Sequence, residues 1–451
     1  MQKTTKDNIF NKKVGFVSLG CDKNRVDLEN IVFLVSNAGF KTTQNLAEAN
    51  IIIINTCSFI ESARVESIET ILNAANLKTN NCEKIIVTGC LNQMNYSDLE
   101  TSLPEVDCFV KVANNNEIVK TIFNLYDVPI PETNTNTCNF ARVLSTPKHY
   151  AYLKISEGCN NFCSYCTIPF IRGRFSSTPL ETLISEAKHL AEIGVKELIL
   201  VGQDVTKYGF DLYNEYKLTT LIQELSKIEQ IKWIRLLYCY PELVNDSLIN
   251  EIKTNPKVVK YIDLPLQHIN SNILKQMNRK TDKSRVLEVV NNLKTNIPSI
   301  AIRSTFILGF PGETKENFTE VLEFLTEQKL TNVGFFAYSR EEGTRAYNFP
   351  NQINTNTKKA RVKKAYLTQQ KIAETNNLSL VNTVLDVIID EEDNEMFVGR
   401  SYLSAPDVDP VVYIYKTNQN TNKIKVGEIK KIKITQVAGY DLEGELYEST
   451  K

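Results

Sequence analysis

Apolar residues in the first hundred positions come in short unbroken runs. Each run is followed by a stretch in which they recur every three or four residues. The run 14–19 leads into Gly20-Cys21, and a helical pattern then extends from Asp27 to Ala38 and stops at Gly39. The run 51–54 leads into Asn55-Thr56-Cys57 and a helix from about Glu61 to Ala75, and the run 84–87 leads into Thr88-Gly89-Cys90. A short apolar run followed by a 3.6-residue period reads as strand then helix. Three such units in series imply an open parallel sheet. Ligands of such sheets bind outside the carboxyl ends of the strands, and Cys21, Cys57 and Cys90 all stand there. They are spaced 36 and 33 residues apart, about one βαβ unit each. If the three strands are neighbours, the thiols converge on one edge.

Periodicity then lapses. Residues 128–147 hold Pro131, Pro147 and a Thr/Asn run over 133–137, which reads as a linker. Beyond it six strands are expected, at 150–155, 197–201, 233–238, 258–264, 301–308 and 333–338. Helical patterns separate them, among them 179–193 (with Pro in the first turn), 219–228 and 316–327. Six βα units predict a partial or open (β/α)6 barrel, with its site groups at the strand C-termini. A third pattern begins near Asn377. Short β-rich runs at 384–389, 396–401, 411–415 and 429–437, with acidic or Asn/Gly turns between them, predict a small antiparallel β-barrel, OB-like in scale. The expected domains are 12–128, 145–376 and 379–448, all in an α/β chain with a β-barrel at its end. The length of 451 residues agrees with a prior of about three domains.

Composition narrows the class. Formal charge is −1, which argues against nucleic-acid binding by bulk electrostatics. The first 13 residues are lysine-rich without an apolar h-region, and no apolar run approaches the roughly 18 residues of a membrane span. A soluble, cytoplasmic protein with no membrane partner is therefore expected. Ten Cys accompany three His. That is too sparse for a disulfide scaffold, and in a reducing compartment clustered Cys point to metal ligands.

The sharpest local signal is Gly158-Cys159-Asn160-Asn161-Phe162-Cys163-Ser164-Tyr165-Cys166, directly after the first strand of the six-unit segment. Three thiolates on one tight loop can grip three corners of one cluster. A 4Fe–4S cluster normally takes four Cys, so a missing fourth leaves one iron open to a ligand. Zinc is the competing reading, but zinc usually takes paired Cys-x2-Cys with a fourth Cys or His nearby. No His lies within eight residues on either side. Cys21, Cys57 and Cys90 could each be a small buried hydrophobe. Their equivalent positions in successive units point instead to a second three-ligand cluster. Cys82, Cys108, Cys138 and Cys239 lack such placement and read as structural.

The Cys-x3-Cys-x2-Cys loop resembles that of the radical S-adenosylmethionine (SAM) superfamily, and Tyr165 fits the family loop. The whole chain resembles the radical SAM methylthiotransferases. The residues that carry the likeness are 18–27 (SLGCDKNRVD), Asn55-Thr56-Cys57, Thr88-Gly89-Cys90, the Cys159/Cys163/Cys166 loop, Pro265-Leu266-Gln267-His268 and Gly309-Phe310-Pro311-Gly312-Glu313. The resemblance implies an N-terminal cluster domain, a radical SAM barrel and a C-terminal TRAM barrel. It implies two 4Fe–4S clusters and SAM as cofactors, and two SAM-dependent steps. It also implies an external electron donor and a sulfur source. Within the family, Gly20-Cys21-Asp22-Lys23-Asn24, Val26-Asp27, Arg400-Ser401 and Ala405-Pro406-Asp407-Val408-Asp409 look like the branch that methylthiolates the β-carbon of an aspartate in ribosomal protein S12. That branch more often has Pro at the place of Asp22. The alternative branch modifies tRNA adenosine. Residues 379–451 hold 13 acidic and 8 basic side chains, a charge of −5. A basic protein suits such a module better than a polyanion. A different class, a non-catalytic iron–sulfur or zinc protein binding RNA, predicts no SAM binding.

Further SAM-site candidates follow from position at strand ends. Gln203 and Asp204 follow the second barrel strand, where they either contact the SAM ribose or amino acid or form an ordinary turn. Arg303, inside the fifth strand, either pairs with the SAM carboxylate or belongs to a buried structural ion pair. Gln267 and His268 follow the fourth strand and are candidates to line the pocket. The glycines of 309–313 are expected to let backbone approach the ligand.

Overall fold

A computed structural model of the protein describes residues 9–93, 99–130, 142–417 and 422–448. Most of the segment read as a linker, and Cys138 within it, lies outside the described residues. The chain divides into two compact units. One comprises 1–146, 152–162 and 166–189; the other comprises 147–151, 163–165 and 190–451. Among the described residues no helix is long and apolar enough to cross a membrane.

The first unit is built on a parallel sheet of β1 (Lys13–Ser18), β2 (Lys41–Thr43), β3 (Ile51–Thr56), β4 (Lys84–Gly89) and β5 (Cys108–Phe109), in the order β2-β1-β3-β4-β5. Helices α1 (Asp22–Asn37) and α2 (Glu61–Asn76) follow β1 and β3. β3 shows why this stretch is a central strand. Ile51 and Ile53 pack into one core with Ile31 and Val35 of α1, while Ile52 and Ile54 pack into another with Ile71 and Ala74 of α2. Apolar residues on both faces mark a covered parallel strand. The expected strand-then-helix order holds, and two short edge strands, β2 and β5, are added to it.

The second sheet takes β6 (Tyr150–Lys154), β9 (Glu197–Val201), β10 (Trp233–Leu236), β11 (Val258–Gln267), β12 (Ala301–Leu308) and β13 (Asn332–Ala337), side by side in chain order. A small ribbon pairs β7 (Ser156–Glu157) with β8 (Ser176–Ser177). Six strands in sequence order, with β9 to β13 paired in parallel and no closing contact among the described residues, give the open six-unit barrel expected from the periodicity. α3 (Ile168–Ile171) follows the cysteine loop, with its Pro in the first turn. α4 (Leu180–Glu192), α5 (Leu218–Ser226), α6 (Asp246–Thr254), α7 (Lys283–Asn296) and α8 (Lys315–Gln328) cover the crossovers. α9 (Thr355–Leu378), capped by the Asn354 side chain, leads to the last barrel.

That barrel is closed, in the order β14 (Val384–Glu392), β15 (Met396–Ser401), β16 (Val412–Tyr415), β18 (Asp441–Leu446), β17 (Ile429–Ala438). The fifth strand, Asp441–Leu446, was not among the expected runs. Its residues are mostly polar, and only Leu442 and Gly444 are buried. The barrel is not wholly antiparallel, because β16 and β18 pair parallel.

The barrel packs on the amino-terminal edge of the second sheet, within the second unit. Glu197, the first residue of β9, is fully buried between two guanidinium groups, Arg235 Nε at 2.7 Å and Arg400 Nη1 at 2.9 Å. Arg400 also forks onto Asp390 at 2.6 and 2.9 Å, and Asp390 meets His149 Nε2 at 2.7 Å. Burial raises the Asp390 carboxyl, but the His149 hydrogen bond and the Arg400 charge outweigh it and hold it below the usual carboxylate range. Asn332 donates to the Leu403 carbonyl, and Arg235 to that of Tyr402.

Candidate active site

In the first unit, register brings the expected thiols together. β1, β3 and β4 are adjacent and parallel, with Ser18 opposite Asn55 and Thr56 opposite Gly89. Cys57 and Cys90 are therefore the next residues of paired strands, and Cys90 N–H donates to the Thr56 carbonyl at 2.9 Å. Cys21 is exposed at the N-cap of the 16-residue α1. Cys57 and Cys90 are buried. Burial pushes the Cys90 thiol up to about 12; the Arg172 charge opposes this, while the neighbouring Cys21 and Cys57 add to it. Burial likewise raises Cys57, with Cys21 adding to it. The three thiols thus lie within one another's fields.

Two residues with special backbone make room. Gly20 has φ +90°, and a Cβ there would lie 2.8 Å from Cys57 Cβ. Gly89 has φ +95°, and a Cβ would lie 2.4 Å from Thr56 N and O. Asn24 ties the edge together, donating through Nδ2 to the Leu19 and Thr56 carbonyls, both at 2.9 Å. No three Cys, His, Asp or Glu among the described residues stand as a single metal ion would need. A four-iron cluster spans a wider triangle and asks for soft thiolates only, and three neighbouring Cys, two of them buried, with a cation beside them fit that demand.

The second cysteine loop runs through stretches of each unit, and each stretch is held within its own unit. In the first, Gly158 (φ +71°) passes so close to Arg174 that a Cβ would sit 2.2 Å from its carbonyl oxygen. Cys159 N–H bonds to the Gly173 carbonyl, and Asn161 N–H points at Cys159 Sγ at 3.4 Å. In the second, Ser164 N–H and Oγ bond to the Met277 and Gln276 carbonyls, and its own carbonyl takes Ala346 N–H. Tyr165 packs against Ile273, Met277, Phe310, Tyr338 and Ala346.

The SAM candidates separate by edge. Gln203 and Asp204 follow β9, and Gln267 closes β11 with φ +69°, so all three lie at the carboxyl edge. Asp204 is fully buried and accepts Thr206 Oγ1 at 2.5 Å. Arg303 is the third residue of β12, towards the opposite edge. Its guanidinium is committed to Asp263 at 3.0 Å and Asp409 at 3.2 Å. Of its two readings, the geometry is that of the buried structural pair. Asp409 also accepts from Tyr261 and the Ala405 N–H, so 405–409 is a docking loop. His268 accepts Asn270 N–H on Nδ1, and its Nε2 lies 3.5 Å from Glu313. Glu313 further binds Gly309 N–H and Arg361. At Gly309 the backbone passes close to Lys358, where a Cβ would lie 2.4 Å from Cγ.

Sequence reasoning missed Arg279. It is buried, stacks over Tyr240 with its guanidinium 4.1 Å from the ring centroid, and donates to the Pro265 carbonyl. Its Nε and Nη1 find no hydrogen-bond acceptor among the described residues. Burial works against its charge, but the Tyr240 ring and the Glu242 carboxylate, 4.0 Å from Nε, favour it. Only its proximity to the cysteine loop, invisible in a linear reading, marks it.

Comparison with known proteins finds three family matches along the chain. Residues 153–325 match the radical SAM superfamily, 13–111 an uncharacterized protein family, UPF0004, and 381–446 the TRAM domain. The radical SAM methyltransferase TsrM from Kitasatospora setae, solved with cobalamin and a 4Fe–4S cluster, superposes with TM-score 0.54 over 74% of this chain and 77% of that one. At 13% identity this speaks for the fold alone. A protein of Clostridium botulinum named ribosomal protein uS12 methylthiotransferase RimO is 48% identical over 96% of this chain and 97% of its own. One of the same name from Alkaliphilus oremlandii is 44% identical over 97% and 100%. With the parallel-sheet unit, the radical SAM sheet and the closed TRAM barrel all in place, the chain belongs to the RimO family of radical SAM methylthiotransferases.

Proposed function

We propose that this protein transfers a methylthio group to the β-carbon of an aspartate in ribosomal protein S12. One observation carries the reading: the similarity to proteins named for that activity runs through nearly the whole of both chains. The acidic C-terminal module supports it, since phosphate-reading modules are basic. Cys159, Cys163 and Cys166 are assigned to one cluster, and Cys21, Cys57 and Cys90 to a second. When bound, the two clusters would pass on the electron and hold the sulfur, and SAM would supply the hydrogen-abstracting radical and the methyl group.

The chain's own residues hold and orient. Ser164 pins the cysteine loop to the turn at 276–277. Arg279, with donors to spare, replaces Arg303 as the cation for the SAM carboxylate. Tyr165, Gln203, Asp204 and Gln267 line the rest of that pocket. Electrons and inserted sulfur come from partners outside the chain, and the reaction takes place in the cytoplasm.

Mass spectrometry of ribosomal protein S12 and of tRNA from a deletion strain tests the substrate. The methylthio group should vanish from S12 and persist on tRNA; the reverse pattern assigns the enzyme to tRNA. Anaerobically reconstituted protein should hold about eight irons. Replacing Cys159, Cys163 and Cys166 with Ala should halve that number and stop SAM cleavage.

A further inference from the structure

Six residues beyond the last cysteine of the radical SAM loop, the side chain of Arg172 ends in the other cysteine site. Its side chain is 2% exposed. Nη2 donates to Asn24 Oδ1, the same oxygen that Cys90 Sγ approaches at 3.6 Å. Nη1 meets Asp27 Oδ2 at 2.6 Å and Glu157 Oε2 at 3.1 Å. Lys154 completes the group, 2.5 Å from Asp27 and 2.8 Å from Glu157. Two cations and two anions balance, but they are not equivalent. Arg172 reaches towards the thiols, while Lys154 lies behind the carboxylates. Losing any one member leaves a net unit charge in a buried network, where it is poorly screened.

Arg172 and Cys90 Sγ share Asn24 Oδ1 as a partner, so the guanidinium charge stands beside the thiols. Potentials of iron–sulfur clusters respond to net charge and to hydrogen bonds around their sulfurs. A nearby positive charge favours the reduced form, which carries one more negative charge. We propose that Arg172 is a positioning residue whose guanidinium raises the reduction potential of the cluster held by Cys21, Cys57 and Cys90, with Asp27 setting it in place and partly offsetting it. This rests on the assignment of a cluster to those three cysteines.

The test uses the full chain with Cys159, Cys163 and Cys166 replaced by Ala, reconstituted anaerobically, so that a single cluster remains. Iron is counted first, then the potential is measured by dithionite titration followed by electron paramagnetic resonance. About four irons are expected; a parent chain without iron overturns the cluster assignment and this inference with it. Arg172→Gln should favour the oxidised form at least tenfold, about 59 mV for one electron. Asp27→Asn should shift the potential the opposite way, and Arg172→Lys should return it close to the parent value. A purely structural clamp predicts no change, or the same direction for both charge-removing variants, and either result overturns the proposal. If Arg172→Gln does not load iron, the sign of the Asp27→Asn shift decides.

Discussion

A methyl group at position 89 would have nowhere to go. Gly89 is left-handed and lies against the Thr56 peptide, so Gly89→Ala combines backbone strain of about 1–3 kcal/mol with a clash beside Cys90. Thermal denaturation should show the loss, and iron at Cys21, Cys57 and Cys90 should fall while iron at the other site stays. The two arginines make a matching pair. Arg279→Gln should weaken SAM binding by about tenfold or more, the worth of a hydrogen bond to a charged group. Arg303→Gln should lower stability and leave SAM affinity within about twofold. Equilibrium dialysis with SAM reads the difference. At this scale the cysteines were legible because each ends an apolar run, and a run's end is visible in one dimension. Arg303 was not, because a cation inside a strand does not announce which edge it serves. Its partner Asp409 lies 106 residues away.

Strands with two covered faces write themselves as continuous apolar runs, so β3, β4 and β9 were legible as elements. β18 was not, since a half-exposed strand of DLEGEL offers only a weak alternation. The elements meet through charge as well as apolar packing. Glu197 lies fully buried between Arg235 and Arg400. Glu197→Gln leaves two buried cations short of an anion and should cost about 3–5 kcal/mol, the range for breaking a buried pair, measured by denaturant unfolding. Asp390 makes the same contact sensitive to acid. Its carboxyl is held below its unfolded value of 3.8, so its contribution is complete above that pH and drains away as pH falls through the lower folded value. Asp390→Asn should flatten the stability profile below about pH 4 relative to the parent protein.

Over the whole molecule, the acidic C-terminal barrel is a part of the second unit's packing and not a freely tethered module. Arg235, Arg303 and Asn332 all find partners in residues 401–409. Truncation after Leu378 should therefore strip partners from two buried arginines, and lower both soluble yield and the melting temperature; an unchanged melt would show the docking to be dispensable. The three sheets were legible because periodicity changes twice along the chain. The docking was not, since its ion pairs join residues 106 to 241 apart in sequence.

The short stretch between Cys166 and Arg172 acts as a tether. Six residues reach at most about 20 Å, and α3 shortens the reach further because its four residues rise only about 1.5 Å each. The stretch that begins at the Cys159–Cys166 loop thus ends against Asn24 and Asp27, beside Cys90. Lengthening it by one residue would turn the arginine away from Asn24 and Asp27, so this segment should tolerate substitution on its exposed face, at Phe170, but not insertion or deletion.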